Sequence, residues 1–149
     1  MTYNEEVSKK LNDLLTRNYD AAAGYGLATE KVRSRNLKHF FTLQEQERYK
    51  FGHELKKEIL YYGETPDKGT SWQGDTHRTW MNIKSTLLSN TEEAILEETV
   101  RGERTAIKEY NTIIMETTLP PSTKNMIAAH RNNILNALTR VNTEREIAS

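Results

Sequence analysis

The residues best suited to chemistry in this 149-residue chain are its four histidines and 21 acidic residues, because imidazole and carboxylate groups bind metal ions. In a four-helix bundle, a di-metal site needs inward-facing glutamates and two Glu-x-x-His motifs, since residues three apart share one helix face. No Glu-x-x-His occurs: the residues three positions before His39, His53, His77 and His130 are Asn36, Lys50, Gly74 and Ile127. His-Glu-x-x-His is also absent. We therefore predict no standard metal site, no cofactor and no catalytic residue.

A non-standard metal site remains as an alternative. Its ligands would be an irregular set of side chains, namely Glu47, Glu54, Glu98 and His130. The competing interpretation places these acids on solvated helix faces and His130 at a surface or boundary position. We favour that second interpretation.

Several other chemistries are missing from the sequence. The chain has no cysteine, which excludes disulfides, thiolate zinc sites, iron–sulfur clusters and cysteine nucleophiles. It contains no G-x-S-x-G, no G-x-x-x-x-G-K-[ST] and no G-x-G-x-x-G motif. These absences favour a non-enzymatic protein.

Charge and hydropathy limit the partners. Basic and acidic residues are equal at 21 each, whereas a duplex DNA binder usually carries a basic excess. No stretch approaches the ~20 apolar residues of a membrane-spanning helix, and the N-terminus has no apolar signal region. We predict no nucleic-acid or membrane partner and a cytoplasmic location.

Polar residues on the apolar faces of the predicted helices suggest a structural role. Gln44, Arg48, Glu98 and His130 lie on or beside apolar stripes. Buried polar groups must be paired, and such pairing can fix the register of helices. We therefore predict a small buried polar network rather than a catalytic one.

Glycines within helices are unusual because each costs about 1 kcal/mol relative to alanine. Four of them fall inside three predicted helices: Gly24, Gly26, Gly52 and Gly102. Either neighbouring helices and rings approach closely there, or the glycines leave space for a ligand. We favour close packing. The cluster from Trp72 to Trp80 also has two interpretations: it is a binding surface, or it caps one end of the bundle. We favour the end cap.

Proline and glycine divide the chain into helices. The prolines stand at Pro66, Pro120 and Pro121, and helix interiors rarely contain proline. Apolar residues recurring at three and four positions predict helices over about 5–32, 35–61, from an N-cap at Asn90 to about 118, and from 121 onward. The predicted stripe of the third long helix includes Val100, Ala106 and Tyr110, and that of the last helix includes Ile134 and Leu135. The predicted stripe of the first helix is Val7, Leu11, Leu14, Leu15, Asn18, Ala22, Tyr25, Ala28 and Val32. Thr2 and Ser34 are the predicted N-caps of the first two helices. Residues 62–75 form a long loop, and residues 76–88 a short helix capped by Asp75.

The lengths of the connections predict the architecture. Short connections join antiparallel neighbours, and the one long connection lies between the second and third long helices. A floppy loop in an up-down bundle is the alternative to a crossover, but the short helix favours the crossover. The predicted fold class is all-α: a ferritin-like antiparallel four-helix bundle, one domain over residues 1–149, with a long crossover carrying a short extra helix.

A family resemblance extends along almost the whole chain. The residues that carry it are Leu11 to Leu15, Asp20, Gly24-Tyr25, Ala28 to Glu30, Leu37, Phe40-Phe41, Arg48, Phe51, Glu54-Leu55, Trp72, Gly74 to Trp80, Ile83-Lys84, Ala94 to Glu98, Arg101 to Glu103, Tyr110 and Leu119 to Pro121. They resemble an uncharacterised bacterial family, a domain of unknown function that forms ferritin-like four-helix bundles. The resemblance implies the bundle and a bacterial source, but no settled activity; some distant relatives are associated with stress responses. Family members often carry glutamate at the position of Ala22, and its loss here argues further against a metal site.

Three functional hypotheses follow. The first is a non-enzymatic protein that is stress-linked or binds a partner, as a homodimer or with another protein. The second is a ferritin-like metal-binding protein or oxidase that uses the irregular ligands. The third is a small-ligand carrier with a cavity near Gly24, Gly52 and Gly102.

Overall fold

The computed structural model describes residues 1–67 and 91–148 of the chain. Over these ranges it is built from helices: α1 Tyr3–Lys31, α2 Arg35–Tyr61, α3 Glu92–Glu116 and α4 Pro121–Ala148. None of these helices is long and apolar enough to cross a membrane. The short helix predicted over 76–88, its cap Asp75 and the cluster from Trp72 to Trp80 lie outside the described residues.

The starts of the helices follow local side-chain chemistry. Thr2 and Ser34 are the N-caps of α1 and α2 as predicted, and each side-chain oxygen accepts the backbone N–H three residues on. The N-cap predicted at Asn90 is wrong, because the hydroxyl of Thr91 accepts that bond for α3. Glu92 lies in the first turn, where the helix dipole favours a carboxylate.

Hydrogen bonds between α1 and its neighbours give the helix directions. Asn18 and Tyr25 of α1 contact Tyr110 and Glu103 of α3 respectively, so the residue numbers run in opposite directions. Helices α1 and α2 join through only three residues and pack side by side along their lengths. α1 is therefore antiparallel to both α2 and α3.

The ends of α2 and α3 establish the crossover topology. The amide of Asn4, at the start of α1, donates to the carbonyl of Tyr62 at 3.2 Å, just after α2 ends. At the other end of α1, the carboxylate of Glu92 accepts the backbone N–H of Ser34 at 3.0 Å. The end of α2 and the start of α3 thus lie at opposite ends of the bundle. The ferritin-like crossover topology is confirmed, and the simple up-down alternative is wrong.

The core is built from the predicted apolar stripes. Every predicted stripe residue of α1 is buried, including the polar Asn18. On α4 the prediction of Leu135 is wrong, since its side chain is 40% exposed. The next residue along a helix is rotated by about 100°, which turns Leu135 away from the buried face that Ile134 occupies.

The glycines within the helices allow close contacts. A Cβ on Gly52 would lie 2.6 Å from Cε1 of the Tyr19 ring, and one on Gly26 would lie 2.7 Å from Oε2 of Glu45. The predicted close packing is therefore confirmed at these two positions. Gly24 and Gly102 are both buried.

Candidate functional site

Arg48 lies at the middle of α2, with thirteen helical residues on either side, and its side chain is fully buried. A buried charge is costly unless it is paired and hydrogen-bonded. The Nη1 atom of Arg48 donates to Oε1 of Glu103 at 2.6 Å, and Nε donates to Oδ1 of Asn18 at 2.6 Å. Burial lowers the pKa of Arg48, but the charge of Glu103 and the nearby tyrosines outweigh that effect and raise it above its usual value. The guanidinium is therefore a permanent cation within the bundle.

Glu103 supplies the balancing charge from α3 and is also fully buried. Its Oε1 atom accepts from Arg48, and its Oε2 atom accepts from the Tyr25 hydroxyl at 2.8 Å. Burial and the adjacent Glu103 carboxylate raise the pKa of Tyr25 well above its ordinary value, so the phenol remains protonated and donates. Both oxygens of this carboxylate therefore already accept hydrogen bonds from within the bundle.

A second branch runs from Asn18 to the far side of the bundle. The Asn18 amide donates to the hydroxyl of Tyr110 at 2.8 Å, and that hydroxyl lies 3.2 Å from Nδ1 of His130. Burial raises the pKa of Tyr110 well above its ordinary value, so the hydroxyl keeps a proton to donate to Nδ1. This geometry favours the His130 tautomer with its proton on Nε2.

His130 belongs to α4, and its neutral side chain is buried inside the bundle. Burial, followed by the charges of Arg48 and Lys50, lowers its pKa to about 3. The ring stacks on Phe51 with centroids 4.0 Å apart, and its Nε2 atom lies 3.5 Å from Oε2 of Glu54. Glu54 is 40% exposed, so this branch ends at the protein surface through one long contact.

These contacts link all the described helices through one central polar network. Its members are Asn18, Tyr25, Arg48, Glu103, Tyr110 and His130. Each is at least 98% buried. The arrangement holds one positive and one negative charge in a hydrogen-bonded unit.

The sequence prediction of this network was right for two of its four residues. Arg48 and His130 belong to it. Glu98 does not, because it lies at the surface, where its Oε2 atom pairs with Arg101 at 2.9 Å. Gln44 is half-buried and lines an outer groove between α2 and α4.

Sequence reasoning missed four members of the network: Asn18, Tyr25, Glu103 and Tyr110. Asn18 was already on the predicted stripe of α1, as were both tyrosines on theirs. Glu103 lies between Val100 and Ala106 at helical spacing, which places its carboxylate on the apolar face. A charged residue within such a stripe was the available signal.

The four residues of the predicted non-standard metal site are only partly brought together. Glu54 and His130 meet, whereas Glu98 pairs with Arg101 and Glu47 lines the groove between α2 and α4. Across residues 1–67 and 91–148, no group of three or more His, Asp or Glu side chains could hold a metal ion.

The central polar network does not fit the di-metal centre that a ferritin-like bundle can carry. Such a centre needs carboxylates and imidazoles with oxygen and nitrogen atoms available to a metal. The Glu103 oxygens accept from Arg48 and Tyr25, and Nδ1 of His130 faces the hydroxyl of Tyr110. A guanidinium at this place also repels a metal cation.

Exposed apolar side chains concentrate at one end of the bundle. The hydroxyl of Tyr3 donates to the carbonyl of Thr118 at 2.8 Å, so α1 begins where α3 ends. Five of the nine large exposed apolar residues in the described ranges belong to this end, which we call the apolar end: Met1, Tyr3, Leu60, Tyr61 and Met115. Tyr61 and Met115 are 82% and 83% exposed.

Comparisons with known proteins locate the chain among ferritin-like bundles. A family model described as "Domain of unknown function (DUF2383)" matches residues 6–116. No curated protein matches the chain. A solved structure of a Dps1 mutant from Mycobacterium smegmatis has a TM-score of 0.80 and 17% identity, covering 97% of this chain and 99% of that one. The conserved hypothetical protein rv2844 from Mycobacterium tuberculosis has a TM-score of 0.75 and 10% identity, covering 97% and 94%. At these identities the similarity shows the fold alone.

Proposed function

We propose a function from the premise that this chain belongs to the family described as Domain of unknown function (DUF2383). The proposed function is that of a non-enzymatic ferritin-like protein that acts by binding a protein partner, not through a metal centre inside its bundle. The stress-linked role and the cytoplasmic location implied at the level of sequence stay predictions.

One observation carries the proposal: the carboxylate of Glu103, at the middle of the bundle, is neutralised by Arg48. The contact is 2.6 Å long and both side chains are fully buried. The second Glu103 oxygen accepts from Tyr25, so a metal ion at this carboxylate would compete with two internal donors. Arg48 already balances the charge of Glu103, so no metal ion is needed to neutralise it.

Elemental analysis after anaerobic incubation with ferrous iron tests the first part of the proposal, that the protein does not act through a metal centre inside its bundle. We expect the native chain to retain less than stoichiometric iron, and Glu103→Gln to give the same result. Stoichiometric iron in the native chain that is lost in Glu103→Gln would contradict the proposal.

The apolar end supports the partner-binding part. Large apolar patches on a soluble protein often mark protein-binding sites. Light scattering coupled to size exclusion should show whether a second copy is the partner. We compare the native chain with a Leu60→Glu/Tyr61→Glu variant and with Leu43→Glu, whose leucine is also exposed but lies away from the apolar end.

A dimer that dissociates only in the Leu60→Glu/Tyr61→Glu variant would identify the apolar end as a self-association surface. A monomer that instead captures another protein through the same residues would assign a different partner. If the chain remains monomeric and its binding to other proteins is unchanged by these substitutions, the apolar end is not a protein-binding surface.

A ferritin-like metal-binding protein or oxidase is the second candidate, and one contact favours it. Nε2 of His130 lies 3.5 Å from the half-exposed carboxylate of Glu54, so this pair offers one nitrogen and one oxygen at the surface. Under this alternative, bound iron is lost in Glu54→Gln and kept in Glu103→Gln. The carrier hypothesis has less support, because the Tyr19 ring occupies the space over Gly52.

A further inference from the structure

The central polar network holds a cation at the middle of a bundle whose fold carries a metal centre in other proteins. In di-metal ferritin-like proteins the ligands come from all four helices and project inward. Here Arg48 occupies the middle of α2, and its partners Asn18 and Glu103 approach from α1 and α3. The guanidinium is fully buried, as a bundle-bound metal would be.

The atoms around the guanidinium are those that an oxygen-preferring cation would use. Oδ1 of Asn18 and Oε1 of Glu103 each lie 2.6 Å from an Arg48 nitrogen, so both oxygens face one positive group. The second Glu103 oxygen is held by Tyr25, which orients the carboxylate. Carboxylate and amide oxygens are ligands that suit Mn²⁺ and similar divalent ions.

We infer that Arg48 is a built-in replacement for metal, and that the oxygens around it form a latent divalent-cation site that the guanidinium closes. Removing the side chain beyond Cβ leaves a cavity whose wall carries the charge of Glu103. A buried carboxylate without a counter-ion is costly, so a hydrated Mn²⁺ entering that cavity would restore the balance.

The inference rests on the proposed function in one respect, because both require that the native chain hold no metal at its centre. They fail separately. Metal bound by the native chain and lost in Glu54→Gln alone would favour the metal-binding alternative over the proposed function and leave the inference standing. A metal-free native chain whose arginine variant also ignores metal would refute only the inference.

The experiment uses four purified chains: native, Arg48→Ala, Arg48→Ala/Glu103→Gln and Arg48→Lys. Each is titrated with Mn²⁺, the loss of the free-ion electron paramagnetic resonance signal counts bound metal, and the melting temperature is recorded with and without Mn²⁺. The lysine variant keeps a positive charge but cannot contact Asn18 and Glu103 with a planar fork.

We expect only Arg48→Ala to bind about one Mn²⁺ per chain and to melt at a higher temperature when Mn²⁺ is present. Removing the Glu103 charge should weaken that binding by at least about tenfold, the lower end of what changes around a metal site cost. If Arg48→Ala is unfolded alone but folds when Mn²⁺ is added, that result also supports a latent site.

Three outcomes would overturn the inference. The first is an Arg48→Ala chain whose folding and melting ignore Mn²⁺. The second is equally tight Mn²⁺ binding by Arg48→Ala and Arg48→Ala/Glu103→Gln, since the carboxylate would then play no part. The third is Mn²⁺ binding by the native chain at the same site, because the guanidinium would then not close it.

Discussion

A buried ion pair such as Arg48 with Glu103 has opposing energetic consequences at the scale of single residues. Taking both charges out of water is costly, and their attraction with the added hydrogen bonds offsets that cost. Removing one partner destabilises the fold much more than removing both charges, because the remaining charge stays buried without a counter-charge. The pair therefore acts as a unit whose members should be coupled strongly.

Stability measurements test this coupling. We expect Arg48→Met to lower the free energy of unfolding by about 3–5 kcal/mol, since Glu103 is left buried and charged. Arg48→Met/Glu103→Gln should recover much of that loss. The exposed pair of Arg101 and Glu98 gives a control, in which Arg101→Met should cost less than about 1 kcal/mol. Equal loss in the single and the double variant, measured by urea unfolding, would contradict the coupling.

The pKa of His130 predicts acid sensitivity. Its pKa is about 3 in the folded chain and near 6.5 in the unfolded one, so between those values only the unfolded chain binds the proton. The neutral, buried His130 therefore contributes its full share to the free energy of unfolding above about pH 6.5, and this contribution is lost as the pH falls toward 3. We expect the native chain to lose more unfolding free energy between pH 7 and 4.5 than His130→Phe does.

The control for this pH dependence is His53→Gln, because His53 is an exposed histidine of α2. This variant should keep the native slope of unfolding free energy against pH, whatever its absolute stability. If His130→Phe shows that same slope, burial of a neutral His130 is not the cause of the acid sensitivity.

Sequence could place Arg48 inside the bundle, but not its partners, and it left His130 between a buried network and a surface or boundary position. Periodicity predicts the helix face on which a residue lies. Which side chains meet across two helices also depends on how far one helix is displaced along the bundle axis relative to the other. The contact between Arg48 and Glu103 joins residues 55 positions apart, and it follows from the crossover that sets α3 beside α1. Glu98 was a wrong choice for a different reason: it lies five residues before Glu103, about 140° further around α3, on the face where it pairs with Arg101.

At the scale of the elements, the glycines of α1 and α2 show how a helix face can approach its neighbour. The ring of Tyr19 lies over Gly52 and is only 7% exposed, with Tyr49 beside it at 5.9 Å between ring centroids. Over Gly26 the neighbour is the carboxylate end of Glu45, a flexible side chain. One glycine therefore lies against a buried aromatic ring and the other against the end of a flexible side chain.

Matched alanine substitutions separate these contacts. Gly52→Ala should destabilise the fold by about 1–3 kcal/mol, because its Cβ would overlap a buried ring that has little room to move. Gly26→Ala should range from neutral to about 1 kcal/mol more stable, since alanine favours the helix and Glu45 can rotate away. Thermal unfolding of the two variants checks the contrast, and an equal effect of both would refute it.

The helices themselves were predictable because capping and periodicity are local properties. Thr2 and Ser34 satisfy free backbone N–H groups in any fold, so their sequence signal is reliable. Asn90 and Thr91 are adjacent and both suit an N-cap, so spacing alone could not choose between them. In the structure Thr91 is the cap, and Glu92 in the first turn of α3 reaches the backbone between α1 and α2.

At the scale of the whole molecule, the order of helix directions distinguishes a crossover bundle from an up-down bundle. The C-terminus of α2 lies beside the N-terminus of α1, and α3 begins at the opposite end. Over the 27 residues of α2 this separation amounts to about 40 Å at 1.5 Å per residue. In an up-down bundle the same two points would be neighbours.

Spin labels test this topology cleanly because the chain has no native cysteine. Labels at Leu60→Cys and Glu93→Cys should lie roughly 40 Å apart, which is the length of a helix of this size. The control pair Leu60→Cys and Met115→Cys belongs to the apolar end and should give a clearly shorter distance. A short distance for the first pair, measured by pulsed dipolar spectroscopy, would contradict the crossover.

The central claim is that an arginine, and not a metal, provides the cation at the centre of this ferritin-like bundle. The most direct measurement is a crystal structure of the native chain grown with Mn²⁺, with anomalous scattering recorded at the manganese edge. We predict an intact contact between Arg48 and Glu103 and no anomalous peak inside the bundle. A peak within bonding distance of Glu103, with the guanidinium displaced, would contradict the claim.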